Sequence, residues 1–88
     1  MEDQTQIQIK IQSREKTLYD GPAVSIASEN ETGPFSILPY HANFITLLKK
    51  EITVTDPEGK AYKFPVNNGV LRVENNKVEV FLGVRLAS

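Results

Sequence analysis

The residues of this chain that could do chemistry are few and scattered. It holds one histidine, His41, and no cysteine in 88 residues, which excludes histidine-rich metal triads, disulfides and thiolate sites. A Ser-His-Asp arrangement would need His41 as its base, yet no serine lies in a nucleophile-elbow context. Neither a GxxxxGK[ST] loop nor a GxGxxG motif is present to cradle phosphates. We therefore predict no catalytic, metal or cofactor-binding residues and a protein that is not an enzyme.

The charges and the apolar runs narrow the possible partners. Ten Lys and Arg stand against 11 Asp and Glu, and only Lys49 and Lys50 are adjacent, so no basic stripe follows a phosphate backbone. Nucleic-acid binding is not expected. The polar N-terminus, residues 1–12, has no apolar signal region, and no apolar run approaches the roughly 20 residues of a membrane span. We expect an intracellular, soluble chain without direct membrane insertion.

The sequence pattern predicts that the chain folds into short β-strands. Apolar and polar residues alternate with period two over most of the chain, and turn signals interrupt them at Gly21-Pro22, 56–59, 67–69 and 74–77. This spacing predicts one all-β domain, residues 1–88, built as a sandwich or barrel. Pro65 places the strand before it at an edge or ends it. The centres of five apolar sets should face the core: Ile9, Ile26, Val54, Leu71 and Val80.

Residues 33–48, GPFSILPYHANFITLL, depart from this alternation. Pro34 and Pro39 stiffen the segment without full ladder pairing, and we expect Phe35 and Ile37 to face opposite sides. Two interpretations stay open: an irregular core crossover between sheets, which the residues alone slightly favour, and a rigid docking surface. His41 is correspondingly either a half-buried histidine bonded to backbone near Pro39 or an interface residue.

The same segment carries a family resemblance. GPFSILPYHA at 33–42, followed by Thr46 and Leu48, resembles the G-x-F-G-I-L-P-x-H-A-x-x-x-T-x-L signature of the ε subunit of F-type ATP synthases, called δ in mitochondria. IQSREKTLYDGPA resembles the family's opening strand and Leu-Tyr-x-Gly segment. NNGVLRVENNKVEVFL is similar to its G-x-L-x-V…N-x-V-x-V ending. The matches occur in the family's order and cover nearly the whole chain.

The resemblance implies a small β-sandwich of about ten short strands and a structural role. The family's domain is a rotor part of the central stalk that binds the γ subunit and the membrane c-ring, coupling proton or sodium translocation to ATP synthesis. It implies a peripheral location at the cytoplasmic face of a bacterial inner membrane, with the thylakoid-associated chloroplast stroma as the alternative. The candidate residues for the γ or c-ring interface are Pro34, Phe35, Ser36, Leu38, Tyr40 and His41.

Some residues depart from the family pattern. Pro34 stands where an acidic or polar residue often faces the c-ring loops, Ser36 replaces a frequent Gly, and Tyr40 replaces a frequent Gly or Asn. Tyr40 adds an amphipathic ring of the kind favoured at interfaces. The chain stops at Ser88, where typical members continue into two helices, so we expect the helical hairpin, its inhibition of ATP hydrolysis and its nucleotide binding to be absent.

A second function stays open beside this one. A ligand-binding β-sandwich, of the carbohydrate type, would use tyrosines as stacking platforms. Tyr19, Tyr40 and Tyr62 are the candidates, and their isolation in the sequence weakens the idea.

Overall fold

The computed structural model describes residues 6–40, 42–66 and 68–83. In it, the segments of alternating apolar and polar residues form nine β-strands. No helix occurs among these residues, and the predicted all-β sandwich is confirmed with nine strands instead of about ten. The strands are β1 (Ile7–Gln12), β2 (Thr17–Ala23), β3 (Ser25–Asn30), β4 (Gly33–Ile37), β5 (Phe44–Leu48), β6 (Ile52–Thr55), β7 (Ala61–Phe64), β8 (Gly69–Glu74) and β9 (Lys77–Leu82).

The strands form two sheets. One has the order β2-β1-β9-β8-β5 and the other β4-β3-β6-β7. Four sequence-adjacent pairs are antiparallel hairpins, β1–β2, β3–β4, β6–β7 and β8–β9, whereas β1 and β9 pair in parallel. β4 and β5 follow each other in the chain but lie at the edges of different sheets.

The core lies between the sheets and comes from every second residue of the strands. The five residues predicted to face inward are each at most 1% exposed, which confirms the strand phases. β1 shows the pattern plainly, because Ile7, Ile9 and Ile11 are buried while Gln8 and Lys10 are exposed. Side chains that alternate in this way place one apolar row per strand against the opposite sheet.

The turn predicted at Gly21-Pro22 is wrong. β2 runs straight through both residues, which pair with Ile9 and Gln8 of β1. Proline cannot donate to a ladder, but β2 is the outer strand of its sheet, where one side of the backbone needs no partner. The prediction from Pro65 is confirmed, since β7 ends at Phe64 and is an edge strand.

Two of the predicted hairpin turns are confirmed, one by its hydrogen bonds and the other by its backbone angles. In the β6–β7 turn the Asp56 carboxylate accepts from the N–H groups of Glu58 and Lys60, both at 2.9 Å. In the β8–β9 turn Asn75 and Asn76 have φ values of 53° and 64°, as a two-residue type I′ turn requires at both central positions. The signal at 67–69 falls partly on Asn67, which lies outside the described residues; Gly69 begins β8.

Candidate docking surface

The segment 33–48 consists of two regular strands and the connection between them. β4 closes one edge of the four-stranded sheet, the connection changes sheets, and β5 closes one edge of the five-stranded sheet. The expectation of a crossover between sheets is therefore right, but the segment is not irregular. Phe35 and Ile37 face the same side, contrary to prediction, because residues two apart on a strand share a face. Ile37 is fully buried, and Phe35 is half-buried against the core.

Contacts from β3 and β4 to β5 and to the residues that follow it join the two sheets on this side. The rings of Phe35 and Phe44 meet edge to face with their centroids 6.1 Å apart. Asn30 Nδ2 donates to Thr46 Oγ1 at 3.1 Å. The Ser28 hydroxyl, buried on β3, lies 3.2 Å from the carbonyls of both Lys50 and Glu51, so its single hydrogen is shared between them. Packed rings and hydrogen-bonded polar groups therefore fill the space between the sheets on this side. They hold in place the strands whose other faces are exposed to solvent.

The outside of the same segment is apolar and exposed. Four large hydrophobic side chains among the described residues are exposed to solvent: Leu38 (55%), Tyr40 (65%), Ile45 (64%) and Leu47 (49%). All four lie within ten consecutive positions of the chain, and we call them the apolar patch. Scattered exposed hydrophobics are ordinary on a protein surface, whereas clustered ones often serve as partner surfaces, so the apolar patch is the candidate docking surface.

The outward face of the five-stranded sheet extends the apolar patch. Leu47 pairs with Val70, and Val70 pairs with Phe81, so three strands carry apolar side chains in one cross-strand row. Val70 and Phe81 are half-buried. In the next row Arg72 lies opposite Ile45 and its Nη2 donates to Glu79 Oε1 at 2.8 Å. An apolar centre bordered by charged pairs is the usual composition of a protein–protein interface.

The candidate interface residues do not all share one surface. Pro34, Ser36, Leu38 and Tyr40 are exposed, whereas Phe35 points inward. His41 lies outside the described residues. Sequence reasoning missed Val70 and Phe81, whose only signal was that each interrupts the alternation of a strand by placing an apolar residue in the outward phase.

The opposite side of the sandwich brings two of the three candidate tyrosines together. Tyr19 of β2 and Tyr62 of β7 meet edge to face at 5.5 Å between centroids, so they are not isolated in space. Their hydroxyls bond within the chain, Tyr19 to the Pro22 carbonyl at 2.8 Å and Tyr62 to Asp56 Oδ2 at 3.2 Å. Rings and hydroxyls engaged in this way seal this edge of the sandwich.

The environment of this seal shifts three pKa values. Burial, followed by the nearby Asp56 charge, raises the pKa of Tyr19. Burial and the hydrogen bond to Asp56 raise the pKa of Tyr62. The Lys60 and Glu58 backbone N–H groups and the Tyr62 hydroxyl hold the pKa of Asp56 below its ordinary value, with the Lys60 bond the largest cause. Each shift favours the protonation state that preserves the hydrogen bonds.

Acidic side chains and surface grooves are the features of the described part of the chain that bear on small-ligand binding. No three histidine, aspartate or glutamate side chains there are placed to hold a metal ion. An open groove of about 560 Å³ beside β3 includes Glu29 and Lys50, whose charged groups face each other at 3.9 Å. Among the described residues there is no helix that is long and apolar enough to cross a membrane.

Comparison with known families gives one consistent match. Residues 6–83 fit the model of the ATP synthase delta/epsilon chain β-sandwich domain. The ATP synthase epsilon chain of Stenotrophomonas maltophilia K279a is 35% identical over 75 residues, which are 84% of this chain and 54% of the relative. That of Clostridium botulinum strain Hall is 37% identical over 75 residues, covering 84% and 56%. The chain thus spans about half the length of the curated relatives it matches.

Solved structures share the fold at lower sequence identity. A chain in the Euglena gracilis mitochondrial ATP synthase structure (OSCP, F1 and c-ring) superposes with a TM-score of 0.85 at 16% identity, over 98% of this chain and 56% of that one. A chain of the Tetrahymena thermophila mitochondrial ATP synthase central stalk and c-ring gives 0.72 at 12% identity, over 93% and 66%. At these identities the similarity concerns the arrangement of the strands.

Proposed function

Because this chain belongs to the family of ATP synthase delta/epsilon chain β-sandwich domains, we propose that it is a non-catalytic rotor part of an F-type ATP synthase. It joins the γ subunit of the central stalk to the membrane c-ring and so helps to couple proton or sodium translocation to ATP synthesis. The proposal rests on family membership and on the segment from β4 to β5. The inner face of this segment packs against the core, and its outer side exposes the apolar patch.

The apolar patch is the surface proposed for γ. Two of its members, Ile45 and Leu47, project from the edge strand β5, and the row from Leu47 to Val70 and Phe81 continues it across three strands. A lasting contact between subunits needs an apolar centre of this kind, because burying it supplies most of the association free energy. The Arg72–Glu79 pair at its border would set orientation more than affinity.

The outward face of β4 is the surface proposed for the c-ring. Pro34 and Ser36 are exposed there, and by the family resemblance Pro34 stands where an acidic or polar residue often faces the c-ring loops. Proline offers no side-chain hydrogen bond, so contact at this position would be by shape alone. The chain would then sit peripherally at the cytoplasmic face of a bacterial inner membrane, or at the stromal face of a thylakoid.

A pull-down from native membranes tests the proposal. The tagged chain should recover γ and c subunits. Leu47→Glu and Tyr40→Glu should reduce γ recovery at least tenfold, since each buries a charge in an apolar contact, while leaving the free chain folded. Ala61→Glu is the matched control, because it adds the same charge at an exposed position of β7 in the other sheet.

The outcomes separate the parts of the proposal. Recovery of neither γ nor c subunits by the unmodified chain would reject the rotor role. Equal recovery of γ by Leu47→Glu and Ala61→Glu would remove the apolar patch from the γ interface. A Tyr40→Glu chain that binds as well as the unmodified one would remove Tyr40 alone.

A further inference from the structure

Two hydrogen bonds of opposite direction join the β4–β5 connection to the β8–β9 turn. The Tyr40 N–H of the connection donates to Asn76 Oδ1 of the turn at 2.6 Å. The Asn75 N–H of the turn donates to Asn43 Oδ1 of the connection at 3.0 Å. Each partner therefore supplies one side-chain acceptor and one backbone donor. We call this pair of bonds the carboxamide clamp.

The clamp holds a backbone conformation that tyrosine rarely adopts. Tyr40 has φ of 67°, in the left-handed region that suits glycine and is costly for a large side chain. Tyr40 is 65% exposed, so packing of its side chain contributes little to holding this conformation. Strained residues persist only where the surroundings over-determine them, and they concentrate at sites of function.

The presence of asparagine at position 76 is explained better by the clamp than by the turn. A two-residue type I′ turn accepts Asn-Gly at least as well as Asn-Asn, since glycine has no steric cost at positive φ. Glycine at 76 would serve the hairpin but could not accept from the Tyr40 N–H. The turn itself is anchored, because the Asn76 carbonyl accepts from the Gln8 N–H at 3.0 Å and Glu74 pairs with Lys77 at its base.

We propose that Asn76 is a positioning residue for the docking surface: its carboxamide fixes Tyr40 in the left-handed conformation and so presents the Tyr40 ring to the γ subunit. Asn43 acts as the second half of the same device by holding the connection to Asn75. The inference rests on the proposed function for its partner, but the clamp itself can be tested on the free chain. Pre-ordering the connection would lower the entropy lost on docking.

The test uses three variants of the 88-residue chain. Asn76→Gly keeps the turn and removes the acceptor, Asn76→Asp keeps an acceptor, and Tyr40→Gly removes both the strain and the ring. Amide hydrogen exchange on the free chain should show the Tyr40 N–H exchanging about fivefold faster in Asn76→Gly. Asn76→Asp should restore protection.

Affinity for purified γ is the second measurement. Asn76→Gly should weaken binding about three- to tenfold, and Asn76→Asp should bind like the unmodified chain. Tyr40→Gly should lose at least as much, and adding Asn76→Gly to it should cause no further loss, because the two residues act through one contact.

Each result bears on a different statement. Unchanged Tyr40 exchange in Asn76→Gly would overturn the clamp, whatever γ does. Faster exchange with unchanged γ affinity would overturn the positioning role and leave the proposed function standing. If the unmodified chain does not bind γ, the proposed function and the docking role both fail, while the exchange data still decide whether the clamp exists.

Discussion

The two sides of this sandwich use similar apolar and aromatic residues in opposite ways. On one side Tyr19 of β2 meets Tyr62 and Phe64 of β7, with ring centroids 5.5 and 6.3 Å apart, and both tyrosine hydroxyls are bonded within the chain. On the other side Phe35 and Phe44 pack inward in the same edge-to-face manner. Only there does the described chain also leave large hydrophobic side chains exposed, those of the apolar patch.

The difference separates stability from assembly. A ring that fills the gap between two sheet edges and bonds its hydroxyl internally contributes to folding. An exposed Ile or Leu on an edge strand contributes little to folding and much to association. The β2–β7 side should therefore respond to mutation in stability, and the β4–β5 side in binding.

The largest effect should come from the core that both sides cover. Ile26→Ala or Leu71→Ala should lower the free energy of unfolding by about 2–4 kcal/mol, because a cavity replaces packed methyl groups. Both residues are fully buried. Denaturant midpoints measure the loss. Midpoints equal to that of the unmodified chain would mean that the strand phases described above are wrong.

A smaller loss should follow from opening the β2–β7 seal. Phe64→Ala should lower the free energy of unfolding by about 1–2 kcal/mol, since Phe64 is half-buried and contacts the Tyr19 ring. Affinity for γ should not change. A variant of unchanged stability that binds γ poorly would reverse the roles of the two sides.

The seal should also make stability depend on pH at both extremes. The lowered pKa of Asp56 means that its contribution is present above its ordinary pKa of 3.8 and is lost as pH falls through the lower folded value. The raised pKa values of Tyr19 and Tyr62 mean that their contribution is present below 10.0 and is lost as pH rises through the folded values.

Two variants check these limbs separately. Asp56→Asn keeps an oxygen acceptor for the turn. In a plot of the unfolding midpoint against pH, it should flatten the decline at acid pH, which we call the acid limb. Tyr62→Phe should flatten the alkaline limb and leave most of the acid limb in place, because the Lys60 backbone N–H is the largest cause of the lowered Asp56 pKa. Limbs of unchanged slope in both variants would show that other groups govern the pH dependence.

The smallest effect on stability should come from the apolar patch. Leu47→Ala should change the free energy of unfolding by no more than about 0.5 kcal/mol, because its side chain is half exposed and leaves no cavity. Its affinity for γ should nevertheless fall. A stability loss comparable to that of Phe64→Ala would show that the patch belongs to the fold and not to an interface.

Most of the fold could be predicted from the sequence because period-two alternation is a local property. Ile9, Ile26, Val54, Leu71 and Val80 were each identified from neighbours within a few residues, and all are buried. Gly21-Pro22 misled for a related reason: the same dipeptide suits a turn or an edge strand, and sheet order decides between them. The faces of Phe35 and Ile37 were predicted wrongly, because the prolines on either side suggested an irregular segment where the chain forms a regular strand.

The candidate surface depended more on the fold. The family signature in the proline-stiffened segment made Leu38 and Tyr40 candidates, and both are exposed. Ile45 and Leu47 lie in the segment for which a core crossover and a docking surface both stayed open, and their exposure is seen only in the fold. Val70 and Phe81 joined them only through strand register, which pairs residues that are far apart in the chain.

By itself, the sequence indicated most of the strands, the inward faces of five of them, the lack of cysteine in these 88 residues and the family to which the chain belongs. These follow from residue type and short-range spacing, which survive without knowledge of the fold. The tertiary structure decided which strands became edges, which apolar residues met across a sheet, and which stayed exposed. It also brought Asn76 to Tyr40 across 36 positions of the chain. Such contacts depend on sheet order and register, and no local pattern encodes them.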